Sequence, residues 1–209
     1  NDAKRDMEWN YRGRKGFPGW HLECSAIALN TLGETLDIHT GGIDHIPVHH
    51  TDEIAQSECH TGKKFANYWL HCNHMTSEGR KISKSLENGF TLDDLTEKGF
   101  SPLDFKMLVL QSQYQTSGDF TFENLQAAQN RLKNWRNIAA LRHQISGQKG
   151  EGIPSLAGKN AILEAINENL DTPKALAQTD EIFLEISKMP AEKLSKSNLV
   201  ELLEFLDEL

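Results

Sequence analysis

The sequence has no apolar run near the roughly 18 residues that span a bilayer, and its first residues form no charged-then-apolar leader. A membrane partner and a secretory signal are thereby set aside, and a cytoplasmic protein is expected. Cysteine is scarce. Cys24, Cys59 and Cys72 are three in number, at irregular spacing. An odd, irregular set excludes a disulfide framework and leaves reduced thiols or a metal ligand. Cations are outnumbered, 22 Lys and Arg against 30 Asp and Glu, for a formal charge of -8. A chain of that sign is no general nucleic-acid sink, because phosphate contacts need clustered cations. Local clusters do exist at Arg12–Lys15 and at Arg80, Lys81 and Lys84. Internal repeats and low-complexity tracts are missing, and so is an initiating Met: the chain starts at Asn1, which suggests a fragment or a trimmed product.

What is present fits a globular chain of 209 residues, 38% hydrophobic and 25% charged, enough for one large domain or two small ones. Residues 1–16 are polar and irregular, and Phe17-Pro18-Gly19 is a turn signal. The spacing predicts a helix over Trp20–Leu32, stopped by Gly33, with Trp20 and Cys24 on one face. Leu36 to His39 reads as a short strand. Pro47 suits a first helical turn, so a second helix is expected from about Val48 to Cys59. Tyr68 to Met75 reads as another strand, followed by a turn at Glu78-Gly79. Beyond Phe100 the pattern is helical: Leu103–Gln111, then Glu123–Ile145 with Leu125, Ala128, Leu132, Trp135 and Ala139 on one stripe of core packing. Glycine-rich 146–155 is the linker candidate, and three amphipathic helices follow near Lys159–Leu170, Pro173–Met189 and Ser197–Leu209. The expected class is α/β followed by an all-helical part.

Chemistry concentrates in His39–Glu53. Thr40-Gly41-Gly42 follows a strand, where backbone without Cβ atoms can approach a nucleotide, and Asp44 just beyond can bind ribose hydroxyls. His49 and Glu53, four apart, share a helical face and can reach one cation. With Cys24 they offer sulfur, nitrogen and oxygen, three good Zn2+ ligands. A cysteine so far away in sequence serves equally well as a simple buried thiol. Downstream, Lys81-Ile82-Ser83-Lys84-Ser85 places two lysines three apart, able to clamp a polyphosphate, although such runs are also common solvated surface. His71, Cys72 and His74 read as strand residues on alternating faces rather than a second metal cluster. His45 and His50 read as local hydrogen-bonding groups, and Cys59 as core.

Taken together, PGWHLECSAI, HTGGIDHIPVHHTDEIAQSE and KISKS, with the later SPLDFKMLVLQSQYQTSGDFTFENLQAA and NENLDTPKALA, closely resemble cysteinyl-tRNA synthetase, a class I aminoacyl-tRNA synthetase. The resemblance covers most of the chain. It implies the second half of a Rossmann-type class I catalytic domain (1–75), the KISKS loop and stem-contact region (76–120), and a helical bundle on the tRNA side (121–209). It assigns Cys24, His49 and Glu53 as ligands of a catalytic Zn2+ that binds the substrate thiol, and Trp20 as the ring that closes over the amino acid. Gly41, Gly42 and Asp44 match adenosine-binding positions, and Lys84 matches the second lysine of the KMSKS signature, with Lys81 the first. The implied reaction joins cysteine to ATP, used with Mg2+, as cysteinyl-adenylate, then passes the acyl group to the terminal ribose of tRNA(Cys). Zinc would also explain selection. Shape alone separates serine from cysteine by only about 1–3 kcal/mol, and a thiolate–zinc bond supplies more.

The departures are specific. No HIGH-type signature occurs, and the family's fourth zinc ligand, a cysteine, lies in the same absent N-terminal half. Thr40 stands where a third glycine is usual, Pro47-Val48 replaces a Phe-Pro pair, Ile82 replaces methionine, and Arg12-Gly13 replaces a Pro-Trp pair. The chain alone is therefore expected to activate cysteine poorly and to need that half as a partner. The cysteine ligase of mycothiol biosynthesis, and a non-catalytic zinc or tRNA-binding paralogue, are the alternatives.

Overall fold

A computed structural model of the chain describes residues 8–17, 19–83, 86, 88–145 and 155–209. Two compact units divide between His74 and Met75.

The first unit opens with a hairpin the sequence reading missed. β1 (Trp9–Tyr11) pairs antiparallel with β2 (Arg14–Gly16) around a two-residue turn, Arg12-Gly13, with both residues at positive φ. Such a turn matches the twist of the strands it joins. α1 (Trp20–Thr31) ends where Gly33 takes φ 101. β3 runs from Leu36 to Gly42, three residues beyond expectation, because it pairs in parallel with β4 (Ala66–Cys72) up to Gly42 opposite Cys72. Between them the chain coils through a 3-10 turn, Ile43–His45, and a wide π-type turn, Ile46–His50. Regular α2 covers Thr51–Thr61 and stops at Gly62, which takes the left-handed conformation and donates to the Glu58 carbonyl. The expected start at Val48 is corrected by that π-type turn. β4 likewise begins and ends earlier than Tyr68–Met75. The small core joins Ala28, Leu36, Phe65 and Ala66, with Trp69 against it. Cys59 is exposed rather than core.

The second unit is mostly helical. A three-stranded sheet of order β6-β5-β7 combines β5 (Thr76–Ser77), β6 (Arg80–Lys81) and β7 (Asp119–Phe120). α3 (Leu92–Glu97) and α4 (Pro102–Leu110) each begin in a capping box, Thr91 with Asp94 and Ser101 with Asp104. α5 (Phe122–Ala140), α6 (Ser155–Asn167), α7 (Thr172–Lys188) and α8 (Lys196–Asp207) complete it. α5 gives way to a 3-10 turn at Leu141–His143, short of the expected Ile145. The linker expected at 146–155 lies outside the described residues up to 154. Leu125 and Ala128 of the predicted stripe are fully buried with Met107, Leu108 and Phe120. A second core gathers Ile162, Phe183, Ile186, Leu199 and Leu202, and Trp135 packs against both. Its indole N–H donates to Asp180 Oδ1 at 2.6 Å. Among the described residues no helix is long and apolar enough to cross a membrane.

Candidate metal and nucleotide site

The register of β3 and β4 builds the floor. His39 lies opposite Trp69 and Gly41 opposite His71. Residues two apart on a strand share a face, so these four line one side of the sheet. Aromatic contacts knit that side together, His39 against Trp69 at 4.8 Å and Trp69 stacked on His71. The turn Ile46–His50 then brings His49 and His50 into the interior, 6% and 3% exposed, and the first turn of α2 supplies Glu53 with no exposure at all. α1 contributes Trp20, His21 and Cys24 from the other side, tied to α2 by Ser25 Oγ donating to Gln56 Oε1 at 2.7 Å.

Ligand atoms of Cys24, His49 and Glu53 all lie within 4.8 Å of one another. Around a tetrahedral Zn2+ with bonds of about 2.0–2.3 Å, ligand atoms stand roughly 3.3–3.8 Å apart. His49 Nε2 lies 3.7 Å from Glu53 Oε2, inside that range. His49 Nδ1 meets His21 Nδ1 at 2.6 Å, a contact that leaves Nε2 to face the carboxylate. Glu53 Oε2 meets His39 Nε2 at 2.8 Å, while the buried Oε1 has no hydrogen-bond partner among the described residues. An orphaned buried carboxylate oxygen costs free energy unless a cation or proton satisfies it. This donor set therefore fits zinc, with His21 and His39 orienting the ligands from behind.

The electrostatics agree. Burial, helped by the nearby Glu53 charge, pushes the Cys24 thiol above its ordinary value, against a hydrogen bond from Trp20. A bound cation reverses that preference and favours thiolate. Burial lowers His49, and burial with the neighbouring His39 brings His50 down to about 4. Neutral imidazoles keep a free lone pair for a metal or a hydrogen bond. His50 uses its Nδ1 on His71 Nε2 at 2.8 Å, the hydrogen-bonding role expected of it. His45 with His49 and His50, and His39 with His50 and Glu53, are further groupings within ligand reach.

Trp20 stacks on His49 at 4.1 Å between ring centroids and remains half exposed, so its ring forms a wall beside the candidate ligands. Gly41 and Gly42 behave differently from an open floor. A Cβ on Gly41 would meet His50 Cε1 at 2.6 Å and His45 Nδ1 at 2.8 Å. One on Gly42 would run into the Asp44 carboxylate. These glycines make room for side chains of the site itself. Asp44, exposed, faces His74 Nε2 at 3.2 Å through its Oδ1. Lys81 is exposed in the second unit, and Lys84 lies outside the described residues. His21 and the part played by His39 escaped the sequence reading, whereas His71 lies in β4 as the strand residue it was read to be. Periodicity of two from Gly41 is the signal that could have found His39, while His71 stands beside the glycine pair only once the strand register is known.

A family model described as tRNA synthetases class I (C) catalytic domain matches residues 1–130. The cysteine–tRNA ligase of Protochlamydia amoebophila (strain UWE25) is 40% identical over 191 residues, 89% of this chain and 40% of that protein. That of Solibacter usitatus (strain Ellin6076) is 40% identical over 205 residues, 95% of this chain and 44% of its own. That of Chlamydia muridarum (strain MoPn / Nigg) reaches 51% over 139 residues. The chain thus spans less than half the length of these curated relatives. Two solved structures share the fold at 14% identity, each covering 81% of this chain. They are the Agrobacterium radiobacter K84 agnB2 LeuRS in ternary complex with tRNA and LeuAMS, at TM-score 0.62 over 25% of that chain, and Mycobacterium tuberculosis methionyl-tRNA synthetase with methionyl-adenylate, at 0.59 over 40%.

Proposed function

The chain belongs to the class I (C) tRNA synthetase catalytic-domain family, and from that premise we propose that it serves a cysteine–tRNA ligase. The convergence of Cys24, His49 and Glu53 within 4.8 Å carries the reading. The fold proposed with it is the latter half of a Rossmann-type nucleotide domain followed by a helical bundle that meets tRNA(Cys). In the ligase the carboxylate of cysteine attacks the α-phosphorus of ATP, releasing pyrophosphate and forming cysteinyl-adenylate, and a hydroxyl of the terminal ribose of tRNA then takes the cysteinyl group as AMP leaves.

Each residue has a part in that scheme. Cys24, His49 and Glu53 would hold zinc, which when bound would supply a borderline-soft Lewis acid for the substrate thiol. His21 and His39 fix the orientation of His49 and Glu53 by the contacts at 2.6 and 2.8 Å. Trp20 covers the amino acid and excludes water from it. Gly41 and Gly42 leave room for the His45, His50 and Asp44 side chains at the strand end that meets the adenosine, and the exposed Asp44 carboxylate accepts from ribose hydroxyls. Lys81 and Lys84 neutralise charge that grows on the departing pyrophosphate, with ATP carried as its Mg2+ complex.

The test is Cys24→Ser in the protein at its full natural length. Zinc content by atomic absorption and cysteine-dependent ATP–pyrophosphate exchange should fall together. Stoichiometric zinc with undiminished exchange would show that Cys24 is not a ligand and would remove the basis for the assignment.

A further inference from the structure

The strand that ends in Lys81 is held by two side chains that the scheme above leaves without a part. β5 pairs antiparallel with β6 and parallel with β7. The turn between β5 and β6 is Glu78-Gly79, both left-handed at φ 52 and 71. One oxygen, Asp119 Oδ1, accepts from Thr76 Oγ1 at 2.6 Å and from the Gly79 N–H at 2.8 Å. Asp119 thus grips the strand before the turn and the turn itself from a residue far along the chain. Those two hydrogen bonds hold its carboxyl below the ordinary range, so it is ionised at neutral pH.

On the other side Asn88 donates through Nδ2 to the Lys81 carbonyl at 3.1 Å and accepts from the Ser83 N–H at 3.0 Å. Between these, Ile82 lines a cavity of about 160 Å3 with Phe90, Phe105 and Phe120, and Phe120 is the neighbour of Asp119 in β7. The backbone of Lys81 is therefore held by its pairing with Thr76 and by Asn88 while its side chain is exposed. A lysine ammonium sits on a flexible four-carbon stem, so its reach is set by the angle at which the backbone presents it.

We infer that Asp119 is a positioning residue for Lys81: by holding the Glu78-Gly79 turn through a single oxygen, it aims that lysine at a polyphosphate. The inference rests on the polyphosphate reading of Lys81. It also makes a sharp chemical demand. Because Oδ1 alone accepts both bonds, an amide oxygen at the same place can take over, whereas a methyl group cannot.

Asp119→Ala and Asp119→Asn are compared in the protein at its full natural length, by calorimetric titration with inorganic pyrophosphate and by kinetics of cysteine-dependent exchange. Two hydrogen bonds hold the turn, each of modest net strength, and losing both should weaken pyrophosphate binding about tenfold in Asp119→Ala. KM for cysteine should stay within about twofold, and Asp119→Asn should match the parent protein. Equal pyrophosphate affinity in all three proteins overturns the inference, and so does an Asn variant as weak as the Ala variant, which would make charge rather than grip the cause. Failure of the ligase reading looks different: the parent protein then shows no cysteine-dependent exchange, yet the split between Ala and Asn in pyrophosphate affinity persists and upholds the positioning role. An absent split overturns it there as well.

Discussion

Gly41→Ala tests whether the candidate site is packed as tightly as its geometry implies. The new Cβ would sit 2.6 Å from His50 Cε1 and 2.8 Å from both His50 Nε2 and His45 Nδ1. His50 has little room to retreat. It is 3% exposed, bonded to His71 at 2.8 Å, and packed on His39 and Trp69 with centroids 4.7 and 4.9 Å away. Overpacking of this kind costs about 1–3 kcal/mol, and losing the His50–His71 bond adds roughly 1 kcal/mol. With a urea slope of about 1–3 kcal/mol/M, the unfolding midpoint should fall by roughly 1 M. Tryptophan fluorescence follows the transition through Trp69 beside the site. Gly16→Ala is the control, because a Cβ there meets no heavy atom within 4 Å and should be nearly neutral. The packing argument is refuted if the Gly41 and Gly16 variants unfold at the same midpoint. A Gly41 variant of unchanged stability that binds ATP more weakly would instead favour the open nucleotide floor.

Two further outcomes follow from the second unit. Leu125 is fully buried among Met107, Leu108 and Phe120, so Leu125→Ala should cost about 2–5 kcal/mol in the denaturation midpoint; a loss under roughly 0.5 kcal/mol would contradict that core. Asp94 accepts from the Thr91 N–H and hydroxyl at the start of α3, and those bonds, the backbone one first, hold its carboxyl below the ordinary value. A depressed folded value contributes stability above the unfolded value of about 3.9 and loses it as pH falls through the folded one. Asp94→Asn should therefore flatten the acid side of the melting-temperature profile below about pH 4, and an unaltered profile would rule out the cap as its source.

How much of this was legible in the sequence depended on whether the signal was local. His49 and Glu53 were readable because four residues on a helix bring side chains to one face, and α1 and α7 because their stops and starts, Gly33 and Asp171-Thr172-Pro173, are adjacent residues. The start of α2 was misplaced because a helical period does not distinguish a π-type turn from an α one. His39, His71 and Asp119 act through pairings between strands distant in sequence, and only the register shows their partners. The hairpin of Trp9–Tyr11 with Arg14–Gly16 hid in a stretch whose residues are all exposed, so no alternation of apolar and polar residues marked it.

The wide turn at Ile46–His50 has a consequence for length rather than composition. Successive residues on the helix that follows are rotated by about 100°. Removing one residue between Gly42 and Thr51 would swing Glu53 away from Cys24 and His39 while every side chain in the segment kept its chemistry. That eight-residue neighbourhood should accept many conservative replacements and almost no change of length.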